Sequence, residues 1–189
     1  MDVELVEPWA GDENFNAVNR VINKHNILIT NLGAEVGVRH GIFSEYLLRK
    51  NPALSMFLVD PYASYQDVHK EYTEEDQMVI KEEAAIRLAP YDKRAQWLYY
   101  SSVMASQYIE NSSLDFVFID ANHVYEEVKK DLAAWWPKIR ANGLFCGHDF
   151  NMDGVNRAVR EFATEPSRCI HHISHPVDVW YIFMKSPNE

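Results

Sequence analysis

The chain has few cysteines and glycines, no excess of positive charge and no long apolar run, and each shortage removes a class of protein. Cys146 and Cys169 are its two cysteines in 189 residues, and neither has a neighbour at metal or redox spacing. They read as reduced thiols rather than as a disulfide framework or a thiolate metal site. Lysine and arginine number 18 against 28 acids, a formal charge of −10. Neutralising a phosphate backbone needs the opposite balance clustered on one stripe, so no nucleic-acid partner is expected. No apolar run approaches a membrane span, and Met1-Asp-Val-Glu-Leu-Val-Glu is acidic where a signal peptide is basic. The expectation is no membrane partner and a cytoplasmic location. What is present is 47% apolar and 24% charged residues, the balance of a folded globular chain and, at this length, of a single domain over residues 1–189.

Apolar spacing predicts the elements. Residues 1–25 read as an N-terminal segment ending in a helix, with Phe15, Val18, Val21 and Ile22 at helical spacing. Residues 27–36 read as strand interrupted near Asn31, leaving Leu32 to Val36 as the strand proper. Ile42, Tyr46 and Leu47 give the stripe of a helix that stops before Pro52. Leu54 to Val59 is a continuous apolar run, as in a parallel strand buried on both faces. Residues 62–96 break the rhythm. They are polar, with a helix from about Thr73 to Leu88 opened by Thr73-Glu-Glu-Asp76, which resembles a capping box. This insert is either a solvated connection or a cap over a ligand.

Beyond it the chain alternates again: strand Gln96 to Tyr100, helix Val103 to Glu110, strand Leu114 to Ile119, helix Tyr125 to Ile139, strand Leu144 to Cys146 and helix Val155 to Ala163. Two closing strands, Cys169 to Ser174 and Val179 to Met184, are separated only by His175-Pro-Val-Asp178. Such alternation predicts an α/β fold, a doubly wound and mostly parallel sheet with helices on both faces. The closing hairpin makes at least one strand antiparallel.

The first strand leads into a glycine turn. Gly37 and Gly41 allow a sharp bend and leave room for a ligand against the backbone, while Asp60 ends the next strand 23 residues after Gly37. That unit suits the adenosine half of a cofactor, with Asp60 accepting from the ribose hydroxyls. The alternative for Asp60 is a cap or turn residue before Pro61. The spacing is Gly-x-x-x-Gly rather than Gly-x-Gly-x-x-Gly, and Glu35 precedes it by two residues. A carboxylate there repels a pyrophosphate and attracts an ammonium or sulfonium, favouring S-adenosylmethionine over a nicotinamide or flavin dinucleotide.

Five stretches in order, Ala34-Glu-Val-Gly-Val-Arg-His-Gly41, Val59-Asp-Pro-Tyr62, Leu114-Asp-Phe-Val-Phe-Ile-Asp-Ala-Asn-His-Val-Tyr-Glu126, Asp131-Leu-Ala-Ala-Trp-Trp-Pro137 and Asn142-Gly-Leu-Phe-Cys-Gly-His-Asp149, resemble the motifs of class I S-adenosylmethionine-dependent methyltransferases. The likeness is greatest to the small stand-alone group with Ile-Asp-x-x-His-x-Tyr after the fourth strand, and covers roughly residues 30–185. It implies a Rossmann-like sheet of seven strands whose last strand is antiparallel. It also implies that Glu35 and Gly37 face the methionine moiety, Asp60 the ribose, and Ser101 and Ser102 the adenine, the serines being equally readable as helix caps. Arg39 departs from the pattern, standing where many members have a third glycine.

Ligands of open parallel sheets bind beyond the carboxyl ends of the strands, which directs attention to Asp120, Asn122 and His123 after Ile119 and to His148 and Asp149 after Gly147. Methyl transfer needs an aligned nucleophile and removal of its proton, a task for an imidazole titrating near neutrality. His123 is the candidate general base beside Asp120; its alternative is a loop imidazole capping the helix that starts near Tyr125. Asp120 and Asp149, with His148, form a candidate site for a divalent metal such as Mg holding a hydroxyl pair, as in relatives acting on sugars and catechols. His171, His172 and His175 read as solvated strand residues, Trp135 and Trp136 as packing residues, and Tyr62 and Tyr65 as either acceptor-pocket or surface residues. The sequence thus predicts an S-adenosylmethionine-dependent methyltransferase acting on oxygen of a small-molecule acceptor. N-methylation and a non-catalytic S-adenosylmethionine-binding protein are the alternatives, and the sequence leaves a homodimer open.

Overall fold

Parallel pairing around one central strand organises the molecule. The computed structural model describes residues 12–165, 168–174 and 178–185; the acidic N-terminal residues and His175 lie outside them. Helix α1 (Asp12–Lys24) leads to β1 (Leu32–Val36), α2 (Ile42–Lys50) and β2 (Ser55–Val59). A short hairpin of β3 (Tyr65–Gln66) and β4 (Glu71–Tyr72) and the helix α3 (Glu74–Leu88) precede β5 (Ala95–Leu98). The alternation then continues as α4 (Ser102–Ser106), β6 (Leu114–Ile119), α5 (Tyr125–Trp135), β7 (Ile139–Gly147), α6 (Asp153–Phe162), β8 (His171–Ile173) and β9 (Val179–Phe183).

Seven strands form one sheet in the order β5-β2-β1-β6-β7-β9-β8, and the hairpin stands apart. The first five pair in parallel, while β9 inserts between β7 and β8 and runs against both. This is the doubly wound, mostly parallel sheet that the alternation implies, and the Rossmann-like form with an antiparallel last strand that the resemblance implies. Among the described residues no helix is long and apolar enough to cross a membrane.

Several boundaries differ from the expected ones for local reasons. β7 begins at Ile139, because Leu114 pairs with Ile139 before the register shifts to Phe116 with Leu144. Helix α5 ends at Trp135 and tightens into a 3₁₀ turn over Trp136–Lys138, where Pro137 lacks the N–H needed to continue. The capping box of α3 is complete. Thr73 Oγ1 accepts from the Asp76 N–H and Asp76 Oδ2 from the Thr73 N–H, each at 3.1 Å.

The sheet is covered on both faces, so β6 is buried along its whole length. Phe116 and Phe118 point toward α1 and α2, with Phe43 stacked on Phe118 at 4.0 Å. Val117 and Ile119 pack with Val128, Leu132 and Trp135 of α5 on the opposite face. Each such fully buried side chain contributes roughly 1.5–3 kcal/mol.

Two buried acids brace this frame. Asp115 is fully buried and accepts from the N–H groups of Ile29, Thr30 and Leu32 at 3.1, 3.2 and 3.3 Å. Arg140 Nε meets it at 2.5 Å, and the same guanidinium reaches the carbonyls of Ile27 and Ala141. The interruption near Asn31, which has a left-handed φ of 56°, is therefore a turn folded onto Asp115. On the other face Trp135 Nε1 donates to Ser102 Oγ at 2.9 Å, and Ser102 hydrogen-bonds to Asp131. Burial pushes the Asp131 carboxyl up to about 7, more than the Ser102 hydrogen bond lowers it.

Asp115→Ala is expected to destabilise the protein by about 3–5 kcal/mol, since it strands a buried guanidinium and three N–H groups; the midpoint of urea denaturation measures this. Asp131 acts with the opposite sign. Its folded carboxyl keeps a proton that the unfolded chain releases near pH 4, so its contribution to stability is intact at pH 4 and lost as pH rises toward 7. Asp131→Asn should stabilise the fold at pH 8 and flatten the dependence of stability on pH between 4 and 7, measured by the same denaturation.

Candidate active site

The sheet ladder continues past the strand ends and aligns a row of residues there. The Gly37 N–H donates to Val59 O and the Asp120 N–H to Val36 O, both at 2.8 Å, and the His148 N–H donates to Ile119 O at 3.2 Å. Gly37, Asp120 and His148 thus stand side by side where the strand order turns from β1–β2 to β6–β7, the position at which open sheets bind ligands. Gly37 has φ 91°, and a Cβ there would lie 2.1 Å from Asp120 O. No side chain fits between these strand ends. Arg39 is left-handed too, at φ 50°, which explains why a glycine suits this position; its exposed guanidinium lies 6.0 Å from the Tyr72 ring.

The acids follow from this turn. Glu35 is buried and takes a hydrogen bond from the Ser44 hydroxyl of α2. Burial pushes its carboxyl well above the usual range against the Ser44 hydrogen bond, with the nearby charges of Asp120 and Asp60 adding to the rise. Asp60 accepts from the N–H groups of Arg39 and Tyr62, each at 2.9 Å, and burial still raises it. Tyr62, at φ 45°, turns back under the loop and donates its hydroxyl to Arg39 O at 2.8 Å. It is a buried brace of the glycine turn, whereas Tyr65 is partly exposed on the hairpin, stacked on Tyr72. Ser101 is exposed and its side chain makes no cap bond; the Ser102 hydroxyl is engaged by Trp135. Three carboxylates around one glycine turn match a cofactor bearing hydroxyls and positive charge, and oppose a pyrophosphate.

Next to this cradle lies His123. Its Nε2 is 2.9 Å from Asp149 Oδ2 and 3.6 Å from Asp120 Oδ1, yet it is buried with no hydrogen bond of good angle. Its Nδ1 is 2.8 Å from Asp67 Oδ2 in the β3–β4 turn, and its backbone N–H donates to Asp67 Oδ1 at 3.1 Å. Burial disfavours the imidazolium, but Asp120, Asp149 and Asp67 outweigh it and hold the imidazole pKa at about 11. The free protein therefore carries His123 protonated, not poised near neutrality. Burial also pushes against the charge on Asp149, yet the close imidazoles of His123 and His148 take it well below the usual carboxylate range. One ligand atom each from Asp120, His123 and Asp149 fall within 4.8 Å of one another, a set that fits a divalent cation. His148 stays outside this triangle, with its Nδ1 3.2 Å from Asp149 Oδ1.

Asp67 is the site residue that sequence reasoning misses. It sits in the polar insert without a motif, and its partner is 56 residues away. The hairpin crosses to the β6 end, where Asn122 Nδ2 also donates to Gln66 O at 2.9 Å. Between the glycine turn, the hairpin and α3 opens a cavity of about 370 Å³ lined by Arg39, His40, Lys70, Tyr72, Ile80 and Glu83 among others. Elsewhere the remaining candidates separate. His171 stacks on Tyr181 while His172 meets Asp178 at 2.7 Å, both exposed. Trp135 is fully buried, and Trp136 packs edge-on to Phe162.

The methyltransferase domain family Methyltransf_24 matches residues 6–150. The uncharacterized protein y4gI of Sinorhizobium fredii is 26% identical over 121 residues, 64% of this chain; the chain spans 13% of that relative's length. Among solved structures, the O-methyltransferase NovP superposes with a TM-score of 0.68 at 17% identity, over 93% of this chain and 79% of NovP. The TDP-rhamnose 3'-O-methyltransferase CalS11 gives 0.66 at 12% identity, over 95% and 82%. Cofactor-bound Rv0187 from MTB gives 0.66 at 13%, over 98% and 84%. These three share the fold, and the match over residues 6–150 shows that the chain belongs to the methyltransferase domain family.

Proposed function

We propose that this protein transfers the methyl group of S-adenosylmethionine to an oxygen of a small molecule. The observation that carries the reading is the convergence of Glu35, Asp60 and Asp120 on the glycine turn with His123 at the same sheet edge. The O-methyltransferase neighbours NovP and CalS11 support oxygen as the acceptor atom. Bound S-adenosylmethionine supplies an electrophilic methyl group and one positive charge. Glu35 and Gly37 hold its methionine end, Asp60 its ribose and Ser101 its adenine, with the Ser102 hydroxyl shared with Trp135. Positive charge beside Asp120 weakens the hold of the carboxylates on the His123 proton. Nε2, once free, takes the acceptor's hydroxyl proton.

A second reading is favoured by the buried Nε2 and its two neighbouring carboxylates. Asp120, Asp149 and His123 would hold a divalent cation, and His148 would orient Asp149. The cation would supply Lewis-acid activation of the acceptor hydroxyl. Nε2 cannot both bind a cation and accept a proton, so the two readings are exclusive.

Asp60→Ala should weaken S-adenosylmethionine binding by at least ~1 kcal/mol through lost charge-assisted hydrogen bonds, read by calorimetric titration; unchanged affinity removes Asp60 from the site. His123→Ala should lower turnover about 10²–10⁴-fold with cofactor affinity intact, measured as S-adenosylhomocysteine formed from a panel of hydroxyl acceptors. The wild type should keep its turnover in EDTA. Loss of activity there, restored by Mg²⁺, transfers Nε2 to the cation reading.

A further inference from the structure

We propose that Asp67 is the positioning residue of the site, orienting the His123 ring from the β3–β4 hairpin so that Nε2 points between Asp120 and Asp149. The inference rests on the methyl-transfer reading for its purpose, though its geometry stands apart from that reading. Asp67 Oδ2 lies 2.8 Å from His123 Nδ1 while Oδ1 receives the His123 backbone N–H at 3.1 Å, so one carboxylate grips both ends of the residue. An ionised carboxylate only accepts hydrogen bonds, so Nδ1 carries a proton beside Asp67 and keeps it when Nε2 gives up its own. The other nitrogen is left facing the site, as base or as ligand. The partner of a functional imidazole commonly fixes it in this way.

The grip depends on the hairpin. The Asp67 N–H donates to Lys70 O at 2.9 Å, closing the turn, and Asp67 Oδ1 also accepts from the Val68 N–H at 2.8 Å. Asn122 holds the same turn through Gln66 O. The His123 ring is therefore oriented only while the hairpin is docked on the β6 end, and docking and orientation are one event. When His123 receives a proton at Nε2, the charge that forms is matched across the ring by Asp67, and Nε2 keeps that proton after product release until the next positively charged cofactor binds and drives it to solvent.

The test uses Asp67→Ala and Asp67→Asn in the full chain. Nitrogen-15 NMR of the imidazoles in the wild type should show a His123 Nδ1–H signal protected from exchange with water. It should be lost in Asp67→Ala and partly kept in Asp67→Asn, which retains an acceptor without its charge. With a competent acceptor, kcat should fall about 10–100-fold in the alanine variant at unchanged KM for S-adenosylmethionine, recover in part in the asparagine variant, and fall no further when Asp67→Ala is added to His123→Ala. A protected signal that is absent from the wild type or survives in Asp67→Ala overturns the proposal, as does a wild-type kcat in Asp67→Ala. If the signal depends on Asp67 but the wild type forms no S-adenosylhomocysteine with any acceptor, the positioning stands and the methyl-transfer reading falls.

Discussion

Repulsion among carboxylates gathered at one sheet edge, relieved by one imidazolium, is the constraint around which the site is built. Parallel strands in register end together, so acids at the ends of β1, β2, β6 and β7 meet whether or not they repel. Two unit charges about 4 Å apart interact by ~4 kcal/mol at an effective dielectric near 20. The fold answers this in three ways. Glu35 is withdrawn into the interior beside Ser44, where burial raises its pKa and disfavours its charge. Asp60 is wrapped in the N–H groups of its own and the glycine turn. Asp67 at Nδ1 and Asp120 and Asp149 at Nε2 share the positive charge of the His123 imidazolium. A cationic ligand is the remaining way to balance the edge, and this is why the chemistry proposed for it begins with a positively charged cofactor.

The same edge holds the strained backbone. Arg39, Tyr62 and Asp149 all adopt left-handed conformations at φ 50°, 45° and 54°, each costing on the order of 1–3 kcal/mol. They persist because neighbours fix them: Tyr62 and Arg39 hold one another through hydroxyl and carbonyl, and both N–H groups end on Asp60. At the opposite edge Asp115 and Arg140 gather the approach to β1 into a fully paired network. One end of the sheet gathers the acids of the candidate site, and the other holds the strands in place.

Sequence periodicity reaches the strands of the parallel core, since each is a short apolar run between helical stripes, but not the order in which they pair. It reaches Glu35, Gly37, Asp60 and Asp120 because they lie in one local unit or at a strand end. It does not reach the start of β7, where pairing with Leu114 rather than apolar pattern extends the strand. Nor does it reach the hairpin, whose two-residue strands are polar and exposed or half-exposed. Asp67 is hidden for a related reason. A lone aspartate in a polar stretch carries no local signal, and its meaning comes from a fold that returns it to His123. The protonation of that histidine is equally non-local, because it takes three acids from separate parts of the chain to raise it.

The placement of β1 also governs how the chain can be made. Its two neighbours are β2, about twenty residues later, and β6, more than eighty residues later. During synthesis from the amino end, β1 and β2 can pair early, but the far side of β1 stays an open strand edge until Leu114–Ile119 has been translated. An unpaired edge rich in buried-type residues is a template for other chains. The insert and α3 between β2 and β5, polar and well capped, supply a soluble interval during that wait.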